Sequence, residues 1–356
     1  MKLNDREWCV FLIGDLFSVK RPPARNKDNY EVGDIPFVAS GSVNNGVMKC
    51  CKPLEDEKLD EAGCITVSPV DGSAFYQPYP FLGRGGAGSS ILMLYADNMN
   101  LYSGQFIAKM ISNTCACKYT YGHMGNKDGI KRERIMLPID ENNNPDYQFM
   151  EDYVKELMTR KREQYLDYCK EQLKIFGGGY SLIPLADKHW KSFFIGEIFD
   201  YFVPGKSKGL NHLTEDVVSG KSYIGATNRN NGVLSFVQED KKLIQKGNAI
   251  GFIKNGNGSA GYAIYKYESF ISTSDVIFAY ANWLNKYIGL FIITCSDMSQ
   301  EKYSHGYKWT KERLLKSGIM LPVNEYGIPD YEYMEKYSKN LLCEKIQRYI
   351  KYIENK

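Results

Sequence analysis

Leu137-Pro-Ile-Asp-Glu-Asn-Asn-Asn-Pro-Asp-Tyr-Gln-Phe-Met-Glu-Asp-Tyr153 returns, 184 residues later, as Leu321-Pro-Val-Asn-Glu-Tyr-Gly-Ile-Pro-Asp-Tyr-Glu-Tyr-Met-Glu-Lys-Tyr337. Other segments repeat in the same order at nearly the same offset. Phe11-Leu-Ile-Gly-Asp-Leu-Phe17 matches Phe193-Phe-Ile-Gly-Glu-Ile-Phe199. Asn44-Asn-Gly-Val47 matches Asn230-Asn-Gly-Val233, and Gly72-Ser-Ala74 matches Gly258-Ser-Ala260. Several ordered matches with a small drift in spacing mean that one domain occurs twice.

Each half opens with a Gly-, Asn- and Pro-rich part holding short alternating runs such as Gly63–Val67, Ser90–Tyr95 and Ala263–Tyr267. These predict strands joined by tight turns, with Asn-Asn-Gly and Asn255-Gly-Asn-Gly258 supplying the turn chemistry. Helical patterns interrupt them near Gln105–Ile111 and Leu284–Ile293. Each half then closes in a long helix. Pro145-Asp146 and Pro329-Asp330 place a carboxylate where the first free backbone N–H groups of a helix need an acceptor. From there Met150, Tyr153 and Leu157, then Leu166, Cys169, Leu173 and Phe176, recur at three-and-four spacing. The second helix repeats the pattern with Met334, Tyr337 and Leu341, then Leu342, Ile346, Tyr349 and Ile353. Both stripes change phase near the middle, so they are helical seams rather than strict heptads. Gly177-Gly-Gly179 ends the first. About thirty residues make a rod of about 45 Å, longer than a small domain can cover, and the two seams are expected to pack on each other.

The expected organisation is mixed α/β: domain one at 1–145, a central helix at 146–176, a linker at 177–187, domain two at 188–329 and a C-terminal helix at 330–356. Composition sets the outer limits. The 356 residues are 43% apolar and 24% charged, with 45 basic against 42 acidic side chains and a net charge of +3. That excludes a polycation that coats nucleic acid indiscriminately, while leaving room for local basic surfaces. The charged start predicts no secretion signal, and the longest apolar run, Tyr287–Thr294, is far too short for a membrane helix. Nine scattered cysteines without a CxxC pair predict reduced thiols in a cytoplasmic protein. Cys115, Cys117 and His123 lack a clear fourth metal ligand, and no metal site is expected.

Catalytic motifs fail one by one. Gly83-Arg-Gly-Gly-Ala-Gly88 fits GxGxxG but leads into a strand-like Ser-Ser-Ile-Leu-Met-Leu run, where a phosphate loop needs a helix. Gly205-Lys-Ser and Gly220-Lys-Ser lack the earlier glycine of a P-loop. The one Pro-Pro, Arg21-Pro-Pro-Ala24, is not the Asn/Asp-Pro-Pro-aromatic motif of an adenine methyltransferase. Four scattered histidines support no nucleophilic triad.

The repeated Leu-Pro…Pro-Asp-Tyr-x-x-Met-Glu-x-Tyr block, the Trp…Phe-x-Ile-Gly-x-x-Phe openings and Tyr303-Ser-His-Gly-Tyr-Lys-Trp-Thr-Lys-Glu-Arg313 resemble the specificity subunits of type I and type IIB restriction-modification enzymes. The resemblance spans essentially the whole chain. It implies two target recognition domains in tandem, each reading half of a split sequence in double-stranded DNA, on a pseudo-two-fold scaffold. The long helices would form an antiparallel coiled-coil-like spacer and dock two methyltransferase subunits, with nuclease subunits or a fused methyltransferase-nuclease completing the complex. S-adenosylmethionine would sit on the methyltransferase, and magnesium and ATP would enter only through nuclease subunits. The chain itself would be non-catalytic and hold no cofactor. The residues implied for docking and spacing are Met150, Tyr153, Leu157, Leu166, Leu173, Met334, Tyr337, Leu341, Ile346 and Ile353.

DNA contacts are expected from polar turns that carry a basic residue, because Arg and Lys serve phosphates and guanine while Asn can read adenine. In the first half these are Asn44 and Asn45, Arg84, Tyr121 and His123, then Lys127, Lys131 and Arg132. In the second they are Arg229, Asn230 and Asn231, Lys254, Asn257 and Ser259, then His305, Tyr307, Lys308 and Arg313. The first half departs from the family pattern, with Tyr121-Gly-His-Met-Gly-Asn-Lys-Asp-Gly-Ile-Lys-Arg-Glu-Arg134 where the second has Tyr307-Lys-Trp-Thr-Lys-Glu-Arg313, as two different half-sites would require. A duplicated ligand binder, for instance of carbohydrate through 27 Tyr and 17 Phe, is the alternative.

Overall fold

The computed structural model describes every residue except 87–89, 178, 208, 257, 303–307 and 356. The chain divides into two compact units, Met1–Tyr165 and Leu166–Lys356.

The first unit runs β1 (Trp8–Leu12), α1 (Ile13–Leu16), β2 (Ser18–Lys20), β3 (Val32–Val38), β4 (Val47–Cys51), β5 (Cys64–Val67), β6 (Ala74–Gln77), β7 (Leu82–Gly83), β8 (Leu92–Tyr95), α2 (Leu101–Cys115), α3 (Lys127–Lys131) and β9 (Arg134–Pro138). Helix α4 (Tyr147–Phe176) begins in this unit and ends in the second. The second repeats the order with β10 (Trp190–Phe194), α5 (Ile195–Ile198), β11 (Tyr201–Pro204), β12 (Lys221–Ile224), β13 (Val233–Val237), β14 (Ala249–Ile253), β15 (Ala263–Lys266), β16 (Phe270–Ser272), β17 (Val276–Tyr280), α6 (Lys286–Asp297), α7 (Lys311–Leu315), β18 (Gly318–Pro322) and α8 (Tyr331–Glu354).

The pairing is duplicated as well. The antiparallel ribbon β1-β9 answers to β10-β18, the antiparallel sheet β2-β8-β5-β6 to β11-β17-β14-β15, and the mixed sheet β4-β3-β7 to β13-β12-β16. In both mixed sheets the parallel pair is the same one, β3 with β7 and β12 with β16. The central strands are buried along their whole length: Cys64–Val67, Ala249–Ile253 and Val276–Tyr280 face no solvent. They are therefore buried on both faces. Helix α2 covers one side through Phe106, Ile107 and Ile111, packed with Ile65, Val67 and Leu94. Helix α6 does the same through Ile288, Phe291 and Ile292 against Ile250, Phe252 and Ala279. Each fully buried side chain of this size contributes about 1.5–3 kcal/mol, so these layers dominate the stability of each unit.

Both long helices start as their sequences require. Asp146 Oδ1 accepts the Phe149 N–H at 2.8 Å, and Asp330 Oδ1 accepts that of Tyr333 at 3.0 Å. The second oxygen of each takes a cation from the segment before the opening ribbon strand, Arg6 at 2.9 Å and Lys188 at 2.6 Å. A further clamp is shared: Asn100 and Asn285, which cap α2 and α6, donate to Glu151 and Glu335 on the long helices. One residue of each carboxylate's own helix, Lys155 or Lys339, pairs with it four positions on. Gly177, at φ +63, ends α4 in the left-handed region as expected.

The phase change in each stripe marks a change of partner. Met150 and Val154, with Tyr153 beside them, belong to the first unit's core, and Met334, with Tyr337, to the second's. Farther along, Cys169, Phe176, Cys343 and Ile346 form one cluster with Leu173, Leu342, Tyr349 and Ile350, all inside the second unit. The expected packing of the two seams is thus present, but only in their later halves. Leu166, Leu157 and Ile353 are half-buried, and Leu341 is 44% exposed. The buried stripe on α8 steps from Ser338 to Leu342 and Cys343, which turns Leu341 about 100° away. Leu341 is not a seam residue within this chain.

Candidate DNA interface

The hairpins β3–β4 and β12–β13 end in the same unusual turn. Asn44, Asn45 and Gly46 have φ of 51°, 53° and 74°, and Asn230, Asn231 and Gly232 have 49°, 51° and 78°. Three successive left-handed residues are costly for most side chains, and Asn is the one that tolerates the conformation best after Gly. Each tip is tied to the strand beside it. The Asn45 carbonyl accepts from Gln77 Nε2 at 3.0 Å, and Asn231 Nδ2 donates to the Tyr265 carbonyl at 2.8 Å. Asn44, Arg229 and Asn230 stand exposed at the tips. Asn45 also lines a cleft of ≈ 400 Å³ with Ser42, Ser73, Gln105 and Lys109. Lys109 escapes sequence reasoning because it lies on the outer face of α2, far along the chain from the turn.

In the second unit, Lys254 and Lys308 come together. They line one cleft of ≈ 530 Å³ with Asn255, Asp275, Trp309 and Lys311. The Lys254 N–H donates to the Asp275 carbonyl at 2.8 Å, and its own carbonyl accepts from Trp309 N at 3.3 Å, which joins two segments over fifty residues apart. Trp309 is 1% exposed and holds the floor, with its indole N–H on Ser317 Oγ at 2.9 Å. Lys311 was not singled out from sequence, although the 184-residue offset pairs it with Lys127, which was. Arg313 is exposed, and its guanidinium bonds the Lys308 carbonyl at 3.0 Å.

The remaining expected contacts fare unevenly. Tyr121 is 81% exposed, and with His123 it forms a tight turn closed by backbone bonds between Thr120 and His123. Lys127 and Arg132 are exposed at the two ends of α3. Lys131 is half-buried, its Cβ so near Gly14 that a Cβ there would lie 3.0 Å away; Leu315 stands against Gly196 in the same way. The Lys131 backbone and Cβ pack against α1. Arg84 is half-buried between Gly83 and Gly85. Ser259 is 5% exposed, with its hydroxyl donating to Asn228 Oδ1 at 3.0 Å and accepting the Asn228 N–H at 3.3 Å. It braces the Asn-Asn-Gly turn from beneath. Asn257, His305 and Tyr307 lie outside the described residues.

The departure of the first half from the second has a structural counterpart. Gly125 occupies the position of Trp309, and its N–H makes the equivalent bond to the Pro69 carbonyl at 2.8 Å. A Cβ on Gly125 would lie 2.4 Å from the Tyr119 ring. Tyr119, 5% exposed in the first core, therefore fills the space that Trp309 fills in the second, delivered from a different place in the chain. The scaffold is kept while the segment over it differs.

A model of the type I restriction modification DNA specificity domain matches the chain twice, over residues 5–166 and 187–352. The type II restriction enzyme specificity subunit S.BcgI of Heyndrickxia coagulans is 27% identical over 340 residues, covering 93% of each chain. Among solved structures, a type I restriction-modification S subunit from M. genitalium aligns over all of this chain and 94% of its own, at 16% identity and a TM-score of 0.47. The HsdS subunit of Thermoanaerobacter tengcongensis aligns over 98% of this chain and 91% of its own, at 13% identity and a TM-score of 0.32. With one order of strands and helices given twice among the described residues and the family's domain matched in each half, the chain belongs to the restriction-modification DNA specificity family.

Proposed function

We propose that this chain is the non-catalytic DNA-reading subunit of a methyltransferase or restriction complex, with each unit reading one half of a split target in double-stranded DNA. The observation that carries this is the element-for-element duplication under two matches to a DNA specificity domain. Two equivalent readers in one chain suit two half-sites at a set separation, as symmetric dimers do. In this reading residues 1–145 and 188–329 are the recognition domains, joined by 177–187, while 146–176 and 330–356 pair antiparallel as the spacer. The exposed Asn-Asn-Gly tips and the lysine cleft of the second unit face the duplex. Methyltransferase subunits, two of them, dock on the long helices and bring S-adenosylmethionine, and nuclease activity resides on another chain.

The relative from H. coagulans is by name a specificity subunit of a type II enzyme, which supports the non-catalytic assignment. Among the described residues no helix is long and apolar enough to cross a membrane.

The test is co-purification of the chain with its genomic neighbours, followed by single-molecule mapping of adenine methylation in the expressing cells. Methylation at one split motif that vanishes on deletion of this chain is the expected result. A partner methyltransferase that modifies the same sites without it would overturn the assignment.

A further inference from the structure

Arg25 is the most enclosed cation of the first unit, with its side chain 2% exposed. Its Nε donates to Glu57 Oε1 at 2.7 Å, Nη1 to Asp60 Oδ2 at 2.6 Å and to the Gly83 carbonyl at 3.0 Å, and Nη2 to the Lys58 carbonyl at 2.8 Å. Asp60 Oδ2 also accepts the Gly83 N–H at 2.8 Å. Both backbone groups of Gly83 are thus held by one buried ion pair. A buried pair of this kind adds little net stability once desolvation is counted, so orientation is the more telling use. Around it the chain is closely packed. A Cβ at Gly83 would fall 2.9 Å from the Pro22 side chain, and one at Gly85 only 2.1 Å from the Pro23 carbonyl. Both glycines press against the 22–25 segment, and successive side chains of an extended segment alternate in direction, so Arg84 is directed to the opposite side. Its own backbone is anchored, N–H to Val38 O at 2.7 Å and carbonyl to Ile91 N at 3.1 Å.

The second unit keeps the frame and changes the residue. Thr273 donates its N–H to the Ile224 carbonyl at 3.0 Å, as Arg84 does to Val38, following the same parallel pairing of strands. The bridge of Asp60 to Phe81 is answered by Gln245 to Phe270, so an amide stands where the carboxylate does. Arg84 and Thr273 are therefore one position with two occupants. A phosphate contact common to both halves would have no need to differ. We propose, resting on the DNA-reading function above, that Arg84 reads a guanine edge in the first unit's half-site and that Arg25 with Asp60 is the positioning pair that aims it. An arginine fork matches the two acceptors of guanine in the major groove.

The experiment maps methylated motifs in cells carrying the complete complex with Arg84→Gln, Arg25→Gln or Asp60→Asn in this chain. Arg84→Gln should relax one base pair in one half of the motif by about 5- to 150-fold, the range of one bidentate contact. Arg25→Gln and Asp60→Asn should relax the same base pair, with the other half and the spacing unchanged. A merely structural role would instead lower methylation everywhere without altering the preferred sequence, and that result overturns the positioning role. If Arg84→Gln leaves the motif intact, or weakens all sites alike as a lost phosphate contact does, base reading is overturned. If Arg25→Gln fails to assemble, Arg25→Lys decides. A lysine cannot span these four acceptors, so the same relaxation is expected and an unaltered motif refutes the pair. Absence of any chain-dependent motif in the wild type would instead remove the DNA-reading function itself.

Discussion

Replacing Lys254, Lys308 and Lys311 together by alanine is the most direct perturbation of the proposed duplex surface. All three line one cleft, and the single carboxylate in its lining, Asp275, is already bonded by Asn255 at 3.4 Å. If each ammonium neutralises one phosphate, each contributes about 0.9 to the slope of log affinity against log salt, or about 2.7 for the three. Between 50 and 200 mM salt the wild type should then lose about 40-fold more affinity than the triple variant. The assay is fluorescence anisotropy of the assembled complex on a non-specific duplex over a salt series. The specific motif found by methylation mapping should keep its sequence, because phosphate contacts set register and carry little base information. A triple variant with the wild-type salt slope would refute the placement of DNA at this cleft.

Other expectations follow from the same geometry. Burial pushes the Asp297 carboxyl up to about 6, only partly offset by the Ala263 N–H that it accepts at 2.8 Å. The folded state therefore keeps a proton that the unfolded chain releases near pH 4, and stability falls as pH rises from about 4 to about 6. Asp297→Asn keeps the acceptor without the charge, so it should stabilise the protein by on the order of 2–3 kcal/mol at pH 8 and by nearly nothing at pH 4 in denaturant titrations. A gain equal at both pH values would show that the charge is not the cause. Ile346→Ala empties part of the cluster shared by α4 and α8 and should cost about 2–4 kcal/mol. Leu341→Ala, on the solvent side, should cost under about 0.5 kcal/mol, and equal losses in thermal melts would contradict the stripe described here. Leu157→Asp combined with Leu341→Asp should leave both units folded, since Leu157 is only half-buried and Leu341 is exposed, and should abolish co-purification of the methyltransferase. Unchanged docking would mean that the helices are not its platform.

Much of this architecture is local and could be read from the chain. The repeat of Leu137–Tyr153 as Leu321–Tyr337 announces the duplication. Asp146 and Asp330 reach N–H groups only three residues ahead, and Gly177 ends a helix through its own φ, so these features need no distant partner. The change of stripe phase is also visible in the sequence, but its meaning is not. Whether Leu341 or Leu342 is buried depends on which surface the helix meets after it leaves its own domain. The candidate interface residues divide in the same way. The Asn-Asn-Gly turns carry their conformation in their composition, whereas Lys254 meets Lys308 only because strand order and the Trp309 anchor bring two remote segments together. Arg25 carries no signal at all, since nothing in Pro22-Pro-Ala-Arg25 foretells that Asp60 and Gly83 will enclose it. Backbone hydrogen bonds at caps and turns close within a few residues and are written in order along the chain. Which charges share a cleft, and which groups enclose an arginine, is decided by the packing of strands and is therefore a property of the folded molecule.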